Sequence, residues 1–353
     1  MAGSTLLQPG RFQRFIDGKP VALYTLRNAS GMVCSITNYG AKIAQLLVPD
    51  RDGHLGDVVM GYDSLDGFLS GSPSMGAFIG RHAGRIGNAA FRLDGELHQL
   101  SVNNGPHCLH GGIKGSRFQV FDAVQNNLSS VEMRYVFADG EEGFPGTLAL
   151  SLMYSLTDAN ELVVDYEAMA LDKSTVASFT THAFFNLNGH ASGSVLDHQV
   201  TVFADQQFGM TGDWVATGEL LPVAGSRFDF LQPRAISAWG QGGYDCCYLV
   251  NKPALHQLTL AAQVSAQASG RVMQVWSTEP ALQFYTGLAP NEPLAGGLGK
   301  GGARYLQQQS LCFEPQGYPN APNLMQIYPD VASAVYVPGI SRSGRTAYKF
   351  SLC

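Results

Sequence analysis

Two side chains of this sequence can move protons, and each lies in a strand-like run that leads into a turn. His182 belongs to FTTHAFFNLNG, where threonines and phenylalanines precede Asn-Leu-Asn-Gly, a string typical of a tight turn. An imidazole has an ordinary pKa of about 6.5, so it exchanges protons near neutral pH. Glu314, in LCFEPQGYPNAPN, is the best acid–base partner for it. Each residue also has a structural interpretation. His182 is then a buried histidine bonded to a backbone carbonyl, and Glu314 is a carboxylate at a turn or strand edge.

Two glycine-rich runs add candidate ligand-binding residues. GRHAGRIGNAAF contains Arg81 and Arg85, whose guanidinium groups suit vicinal hydroxyls or carboxylates, although arginines in a surface loop also pair with acidic neighbours. NNGPHCLHGG contains His107 and His110, followed by glycines that let a ligand approach the backbone. Histidines three apart share a face only on a helix, and the flanking Gly-Pro and Gly-Gly oppose one. We therefore predict no metal site here.

Further candidates lie in the second half of the chain. GYDCCYLVN places Asp245 just before an apolar strand, where it is either a turn cap or an acceptor for a substrate hydroxyl. WSTEPALQFYTG carries Glu279 and Gln283 among aromatic rings, on which sugar faces stack well. GLGKGG (Gly297–Gly302) has the letters of a dinucleotide-binding loop, but no strand precedes it and no helical pattern follows. No nucleotide cofactor is predicted.

Strands must position these residues, because helical periodicity is scarce. Thr147–Thr157 and Glu161–Met169 alternate with period two, and residues 158–160 join them as a hairpin. The other predicted strands are Val21–Arg27, Met32–Thr37, Ile43–Val48, Val131–Phe137, Leu258–Val264, Arg271–Ser277 and Ala281–Thr286. Only Ser64–Leu69 resembles a short helix. The pattern predicts an all-β fold, a large antiparallel β-sandwich with few short helices, forming a single domain over residues 1–353.

Composition narrows the possible partners and location. Hydrophobic residues make up 45% of the 353 residues and charged residues 14%, with a net charge of −6 and no basic cluster. Nucleic-acid and anionic-membrane partners are therefore not expected. The sequence lacks a secretory signal and any apolar run of membrane-spanning length. The six cysteines show no C-x-x-C pair and indicate free thiols in a reducing compartment, so we expect a cytoplasmic protein.

Taken together, these runs resemble the aldose 1-epimerase (galactose mutarotase) family. The matching stretches are GRHAGRI, NNGPHCLHGG, THAFFNLNG, GYD, QFYTG and FEPQGYPNAPN, in the family's order, and NYGAKI (Asn38–Ile43) is similar to its early strand. Each motif is modest by itself, but six in order are specific. The resemblance implies a β-sandwich of the galactose mutarotase type. It also implies an isomerase that interconverts the α and β anomers of free aldohexoses such as glucose or galactose, without a cofactor.

The resemblance also implies roles for single residues. Glu314 matches the family's general base and His182 its general acid, with His110 assisting catalysis. The substrate-contacting residues that it implies are Arg85, Asp245 and Gln283. Two positions depart from the pattern: Gly84 stands where many relatives carry Asn, and His107 stands where Asn is common. Both departures concern sugar preference, since neither touches the acid–base pair.

Three other functions remain open at this point. A non-catalytic carbohydrate-binding protein on the same fold would be expected to lose the acid or the base. A hexose-6-phosphate 1-epimerase would need cations near C6 of the sugar; Arg81 and His107 are candidates, but Asp245 in that region would oppose a phosphate. A glycosidase would need a second carboxylate in a run as informative as that of Glu314. The expected partner is a small monosaccharide, and the expected assembly is a monomer or weak homodimer.

Overall fold

The fold is built almost wholly from antiparallel strands, as the sequence predicts. The structure is a computed structural model that describes residues 5–72, 74–240, 242–288, 293–294, 297–328 and 334–353. Among these residues, every pair of neighbouring strands within a sheet is antiparallel, and α-helix is confined to Leu65–Ser70 and Ala321–Leu324. The expected all-β class with few short helices is confirmed. No described helix has the length and apolarity needed to cross a membrane.

The largest sheet has nine strands and forms one layer of the sandwich. In spatial order its strands are Asp122–Val124, Ser130–Phe137, Leu148–Leu156, Glu161–Ala170, Ser341–Leu352, Arg271–Ser277, Thr259–Ser265, Gln199–Val202 and Arg234–Ala235. The strand Leu148–Leu156 shows that one face of this sheet is buried. Its even-numbered residues are buried, and its odd-numbered residues are partly exposed. That alternation is what a strand with one face on the core requires.

A five-stranded sheet and a four-stranded sheet lie across the core from the nine-stranded sheet. In spatial order the five strands are Ala216–Pro222, Gln206–Met210, Asp245–Leu249, Ala281–Tyr285 and Cys312–Gln316. The four strands are Leu23–Arg27, Val33–Thr37, Lys42–Pro49 and Leu55–Asp57. Buried side chains from all three sheets, such as Leu150, Phe284 and Leu46, belong to one hydrophobic cluster. The main core therefore lies between the sheets.

Short elements complete the fold around these sheets. The two-stranded pairs are Arg14–Ile16 with Lys19–Val21, Phe78–Ile79 with Thr180–Thr181, Arg85–Ile86 with Cys108–Leu109, Ala90–Leu93 with Glu96–Gln99, and Thr175–Val176 with Val335–Tyr336. The 3₁₀ turns are Pro9–Phe12, Gly87–Ala89, Ser116–Phe118, Glu141–Gly143, Ile236–Trp239 and Lys300–Gly302. The predicted strand Val21–Arg27 is divided, because Val21 ends one strand and Leu23 begins another that belongs to a different sheet.

The GLGKGG run serves as a structural anchor. Lys300 is buried, and its ammonium group donates to the carbonyl oxygens of Ala44 at 2.9 Å and Val59 at 2.7 Å. It also contacts the carboxylate of Asp57 at 2.6 Å. Three acceptors satisfy the three donors of the buried ammonium group, so the glycines around Lys300 fold against the four-stranded sheet.

We predict that Lys300→Met destabilises the protein by about 3–5 kcal/mol, because the carboxylate of Asp57 would remain buried without its cation. Urea unfolding followed by circular dichroism measures the change. Lys349→Met is the matched control, since Lys349 and its partner Glu161 are partly exposed and such pairs contribute at most about 1 kcal/mol. Equal unfolding midpoints for the two variants would contradict the structural role of Lys300.

Candidate active site

The five-stranded sheet brings three predicted site residues onto one face. Gln283 and Glu314 lie directly opposite each other on neighbouring strands, and Asp245 lies opposite Tyr285 on the next strand. Since side chains alternate along a strand, these residues project from the same side. The amide of Gln283 donates to the Asp245 carboxylate at 2.5 Å. Register alone therefore places two carboxyl groups and an amide side by side.

His182 reaches Glu314 from a different part of the chain. It follows the short strand Thr180–Thr181, and its backbone is fixed by hydrogen bonds to Ala77 and Gly76. Its ring stacks on Phe184 with centroids 4.9 Å apart and planes 9° apart. This packing aims Nε2 at the carboxylate of Glu314, with 3.5 Å between Nε2 and Oε1.

His110 completes a three-residue group with His182 and Glu314. Its ring lies edge-on to that of His182, with centroids 5.4 Å apart. Because His110 Nδ1 accepts the backbone N–H of Gly84 at 3.2 Å, the neutral ring carries its proton on Nε2. One ring nitrogen of each histidine and a carboxylate oxygen of Glu314 lie within 4.8 Å of one another. Two nitrogens and one oxygen are also a ligand set that zinc accepts.

Arg85 lies on the wall of the same pocket. It pairs with Leu109 in a two-stranded ribbon, which places it near His110. Its Nε donates to the side-chain oxygen of Asn104 at 2.8 Å, and its guanidinium carbon lies 5.9 Å from the ring centre of Trp214. The guanidinium group is thus held in place while it still faces the cavity.

The cavity at this site has a volume of about 430 Å³, within the range of small-molecule pockets. Its described lining comprises Ser72, Ser74, Gly84, Arg85, Leu109, His110, His182, Phe184, Met210, Trp214, Asp245, Gln283, Tyr285, Pro293, Leu294, Gln307, Glu314, Gln316 and Pro319. All six predicted site residues are in this set. Carboxyl, imidazole, guanidinium and amide groups therefore meet in one pocket whose remaining wall is partly apolar.

Burial makes the acid–base pair neutral in the free pocket. Desolvation, with a smaller effect of Arg117, lowers the pKa of His182 to about 3. Desolvation, with the nearby Asp245 carboxyl adding to it, raises the pKa of Glu314 well above its ordinary value. Both shifts follow from placing a charge in a poorly hydrated site. The general-base and general-acid roles that the resemblance implies require a carboxylate at Glu314 and an imidazolium at His182, whereas burial favours the proton on Glu314 in the free pocket.

Arg81 and His107 do not join the site. Arg81 is buried and donates to the carbonyl oxygens of Pro145 and Gly146, outside the pocket lining. The ring of His107 turns toward Asp213, with 2.7 Å between His107 Nε2 and Asp213 Oδ2. Neither residue is therefore a phosphate ligand in this pocket.

Several lining residues escaped the sequence analysis. Gln316 lies two positions after Glu314 on the same strand, so strand alternation alone places both on one face. Trp214 lies in the loop between Gln206–Met210 and Ala216–Pro222, where no periodic pattern indicates a direction for its side chain. The strand pattern could therefore have identified Gln316, whereas no sequence pattern indicates Trp214.

Comparisons with known proteins identify relatives along nearly the whole chain. The family model described as aldose 1-epimerase matches residues 22–349. The chain is 38% identical to galactose mutarotase of Bos taurus over 90% of both chains. It is 32% identical to aldose 1-epimerase of Escherichia coli K12 over 95% of this chain and 96% of that one. Among solved structures, galactose 1-epimerase from Lactobacillus acidophilus superimposes with a TM-score of 0.80 at 25% identity, covering 96% of this chain and 97% of that one.

A second solved structure, an aldose epimerase homologue from C. elegans, superimposes with a TM-score of 0.86 at 25% identity over 94% of this chain and 99% of the other. The fold is thus the large β-sandwich of the galactose mutarotase type, as expected. The chain belongs to the aldose 1-epimerase family. The prediction of an isomerase that acts as an aldose 1-epimerase is confirmed.

We predict that the His182 ring in the free protein stays neutral between pH 7 and pH 5, because burial lowers its pKa to about 3. Nitrogen-15 NMR of labelled histidines measures this directly, and the spectrum of His182→Asn identifies the signal by its loss. A protonation midpoint near 6.5, the ordinary value for histidine, would show that the ring is hydrated and that the pocket is not as dry as its packing indicates.

Proposed function

We propose that this protein interconverts the α and β anomers of free aldohexoses such as glucose or galactose, with Glu314 and His182 as the catalytic acid–base pair. The observation that carries the proposal is the 3.5 Å approach of His182 Nε2 to Glu314 Oε1 inside a cavity of about 430 Å³ that also contains guanidinium, amide and further carboxyl groups. Membership of the aldose 1-epimerase family supports the reaction class. The residue roles rest on geometry and chemistry.

Ring opening requires two proton transfers at neighbouring atoms. Glu314 as a carboxylate takes the proton of the anomeric hydroxyl, so that C1 becomes a carbonyl and its bond to the ring oxygen breaks. His182 as an imidazolium gives a proton to that oxygen. Rotation about the C1–C2 bond presents the other face of the aldehyde, and the two groups exchange roles as the ring closes. Each positioned transfer contributes about 10²–10⁴ in rate.

One proton shared by the pair reconciles this mechanism with the neutral free pocket. The neutral arrangement has the proton on Glu314, and the reactive arrangement has it on His182, so the two hold the same number of protons. His182 Nε2 and Glu314 Oε1 are 3.5 Å apart. The proton can move between them once a sugar hydroxyl bridges the two groups or the bound sugar brings them closer together. A bound sugar favours the reactive arrangement, because its anomeric hydroxyl donates to Glu314 and its ring oxygen accepts from His182.

The remaining pocket residues bind and orient the sugar. The Nε2–H of His110 is a fixed donor beside the pair, suited to an oxygen that gains negative charge as protons move. Arg85 supplies further donors, and Asp245, held by Gln283, supplies an acceptor for sugar hydroxyls. Fixed donors and acceptors reduce the orientational freedom of the bound sugar and so add to the rate.

We propose no cofactor for the reaction. Opening and closing a hemiacetal ring changes no oxidation state and transfers no group, so acid–base chemistry is sufficient. The group of His110, His182 and Glu314 also fits a metal ion, but a metal would occupy the lone pairs on which the proton transfers depend. Full activity in the presence of a chelator is the expected result.

We further propose a cytoplasmic enzyme with one domain over residues 1–353, acting as a monomer or weak homodimer on small monosaccharides. All six cysteines are free thiols, and five of them are buried, which suits a reducing compartment. Sedimentation velocity over a range of protein concentrations measures the state of assembly. A stable tetramer would contradict this part of the proposal.

Glu314→Gln and His182→Asn should each lower the rate of polarimetric relaxation of freshly dissolved α-D-glucose or α-D-galactose by at least about a hundredfold. Each variant removes one proton-transfer group and keeps a polar side chain, which in Glu314→Gln also has the same shape. The matched controls are Glu219→Gln and His256→Asn, which change exposed residues outside the pocket. Normal activity in Glu314→Gln or His182→Asn would exclude that residue as a proton-transfer group, and an inactive wild-type protein would favour a carbohydrate-binding function.

Free hexoses should be better substrates than hexose 6-phosphates. Arg85 is the one Lys or Arg side chain among the described lining residues, and Asp245 and Glu314 lie in the same cavity. We expect kcat/KM for glucose 6-phosphate to be at least about tenfold below that for glucose, a difference of about 1.4 kcal/mol. A 6-deoxyhexose separates loss of the C6 hydroxyl from repulsion of the phosphate. Faster relaxation of the phosphate would instead indicate a hexose-6-phosphate 1-epimerase.

A further inference from the structure

Trp214 is the most exposed aromatic residue among the described residues that line the pocket. It exposes 41% of its surface while it lines the cavity, whereas Phe184 exposes 4% and is covered by the ring of His182. An indole that is exposed beside polar groups can pack its apolar face on a ligand while the polar groups bind the ligand's hydroxyls.

Trp214 is held in a tightly hydrogen-bonded loop. Its backbone N–H donates to Thr211 at 3.1 Å, and the N–H of Thr211 donates to Val215 at 2.9 Å. The hydroxyl of Thr211 donates to the carboxylate of Asp213. Trp214 has a φ of 61°, an uncommon value for a residue other than glycine, which is maintained by the hydrogen bonds around it.

The side chain of His107 fastens this loop to the wall of the pocket. Its Nδ1 accepts the backbone N–H of Asn88 at 3.0 Å, so its Nε2 carries the proton and donates to Asp213 at 2.7 Å. This hydrogen bond forms with a neutral imidazole and needs no net charge on the ring. His107 is 5% exposed, so its position is set by packing rather than by solvent.

The same turn that carries His107 also fixes Arg85. Asn104 and His107 form a backbone bridge, and the side chain of Asn104 accepts from Arg85 Nε at 2.8 Å. The guanidinium carbon of Arg85 lies 5.9 Å from the ring centre of Trp214. Arg85 is thus linked through Asn104 and His107 to Asp213, and Trp214, the neighbour of Asp213, packs on Arg85.

We propose that Trp214 is a sugar-stacking residue, held over the acid–base pair by the hydrogen bond between His107 and Asp213. The indole packs on the C–H face of the pyranose while Arg85 and Asp245 bind its hydroxyls. The inference rests on the proposed function in that it assumes a sugar in this pocket. His107 is then a positioning residue that acts on the sugar through Asp213 and Trp214.

Sugar binding is measured by calorimetry with D-galactose in a Glu314→Gln background, which separates binding from turnover. Trp214→Ala should raise Kd about tenfold, as loss of an aromatic contact does, and Trp214→Phe should raise it less. In the active protein, Trp214→Ala should raise KM by a similar factor and change kcat by less than about threefold. Unchanged Kd and KM, or a fall in kcat alone, would overturn the proposal.

Trp239 provides a matched control. It is 44% exposed and packs on Arg234 with 5.1 Å between the guanidinium carbon and the ring centre, but it is not among the pocket residues. D-Galactose should change the tryptophan fluorescence of the wild-type protein and of Trp239→Phe, and should leave that of Trp214→Phe unchanged. The same fluorescence response in all three proteins would place the sugar away from Trp214. Because this test needs no turnover, it remains decisive for a protein that binds sugar without isomerising it.

The hydrogen bond to His107 is tested by two substitutions of Asp213. Asp213→Ala removes the acceptor and should raise Kd nearly as much as Trp214→Ala, whereas Asp213→Asn keeps an oxygen for His107 Nε2–H and should bind close to the wild-type level. The double variant Asp213→Ala/Trp214→Ala should bind no more weakly than Trp214→Ala, since both changes remove one contact. Additive losses, or equal losses for Asn and Ala, would show that Asp213 does not act by positioning the indole.

Discussion

The site depends on one constraint, the burial of a carboxyl group and an imidazole within contact of each other. At 3.5 Å, and with both side chains almost fully buried, Glu314 and His182 cannot keep separate ordinary pKa values. Desolvation moves the pKa of the carboxyl up and that of the imidazole down, so the pair holds one proton in total. In the proposed mechanism, this pair exchanges protons with the sugar, and the sheet sets the position of Glu314.

Buried cations around the pocket hold its wall in place. The ammonium group of Lys42 donates to the carbonyl of Arg117 at 2.7 Å, and Arg117 in turn donates to the carbonyl of His110 at 3.2 Å. Arg117 also lowers the pKa of both His110 and His182 as a secondary cause after desolvation. The chain of donors therefore fixes the loop of His110, and Arg117 adds to the effect of desolvation on both imidazoles, although neither Lys42 nor Arg117 lines the cavity.

The sequence predicted those parts of the fold in which local pattern and tertiary packing agree. The alternation of Thr147–Thr157 corresponds to the strand Leu148–Leu156, and Arg271–Ser277 coincides with its prediction. The prediction of Val21–Arg27 as one strand was wrong, because the hydrophobic pattern of this run does not show that the chain passes from one sheet to another within it. Sequence motifs identified Glu314 and His182 as candidate site residues. The contact between their side chains depends on the pairing of distant strands, which the motifs do not show. Trp214 was missed because a loop residue has no periodic pattern that fixes its direction.

Conservation of charge explains why such a dry site suits this reaction. An aldohexose is neutral in both anomers and in the open form, and in the proposed mechanism the pair of Glu314 and His182 loses one proton and gains one in each half of the cycle. Net charge in the pocket is therefore constant, so no step leaves an isolated charge in a poorly solvated cavity. Donors fixed before the sugar binds, such as His110 Nε2–H, need little reorganisation when charge shifts between oxygens. A phosphate would break this balance, because it would add negative charge to a cavity that already holds the Asp245 carboxyl group and has Arg85 as the one described lining cation.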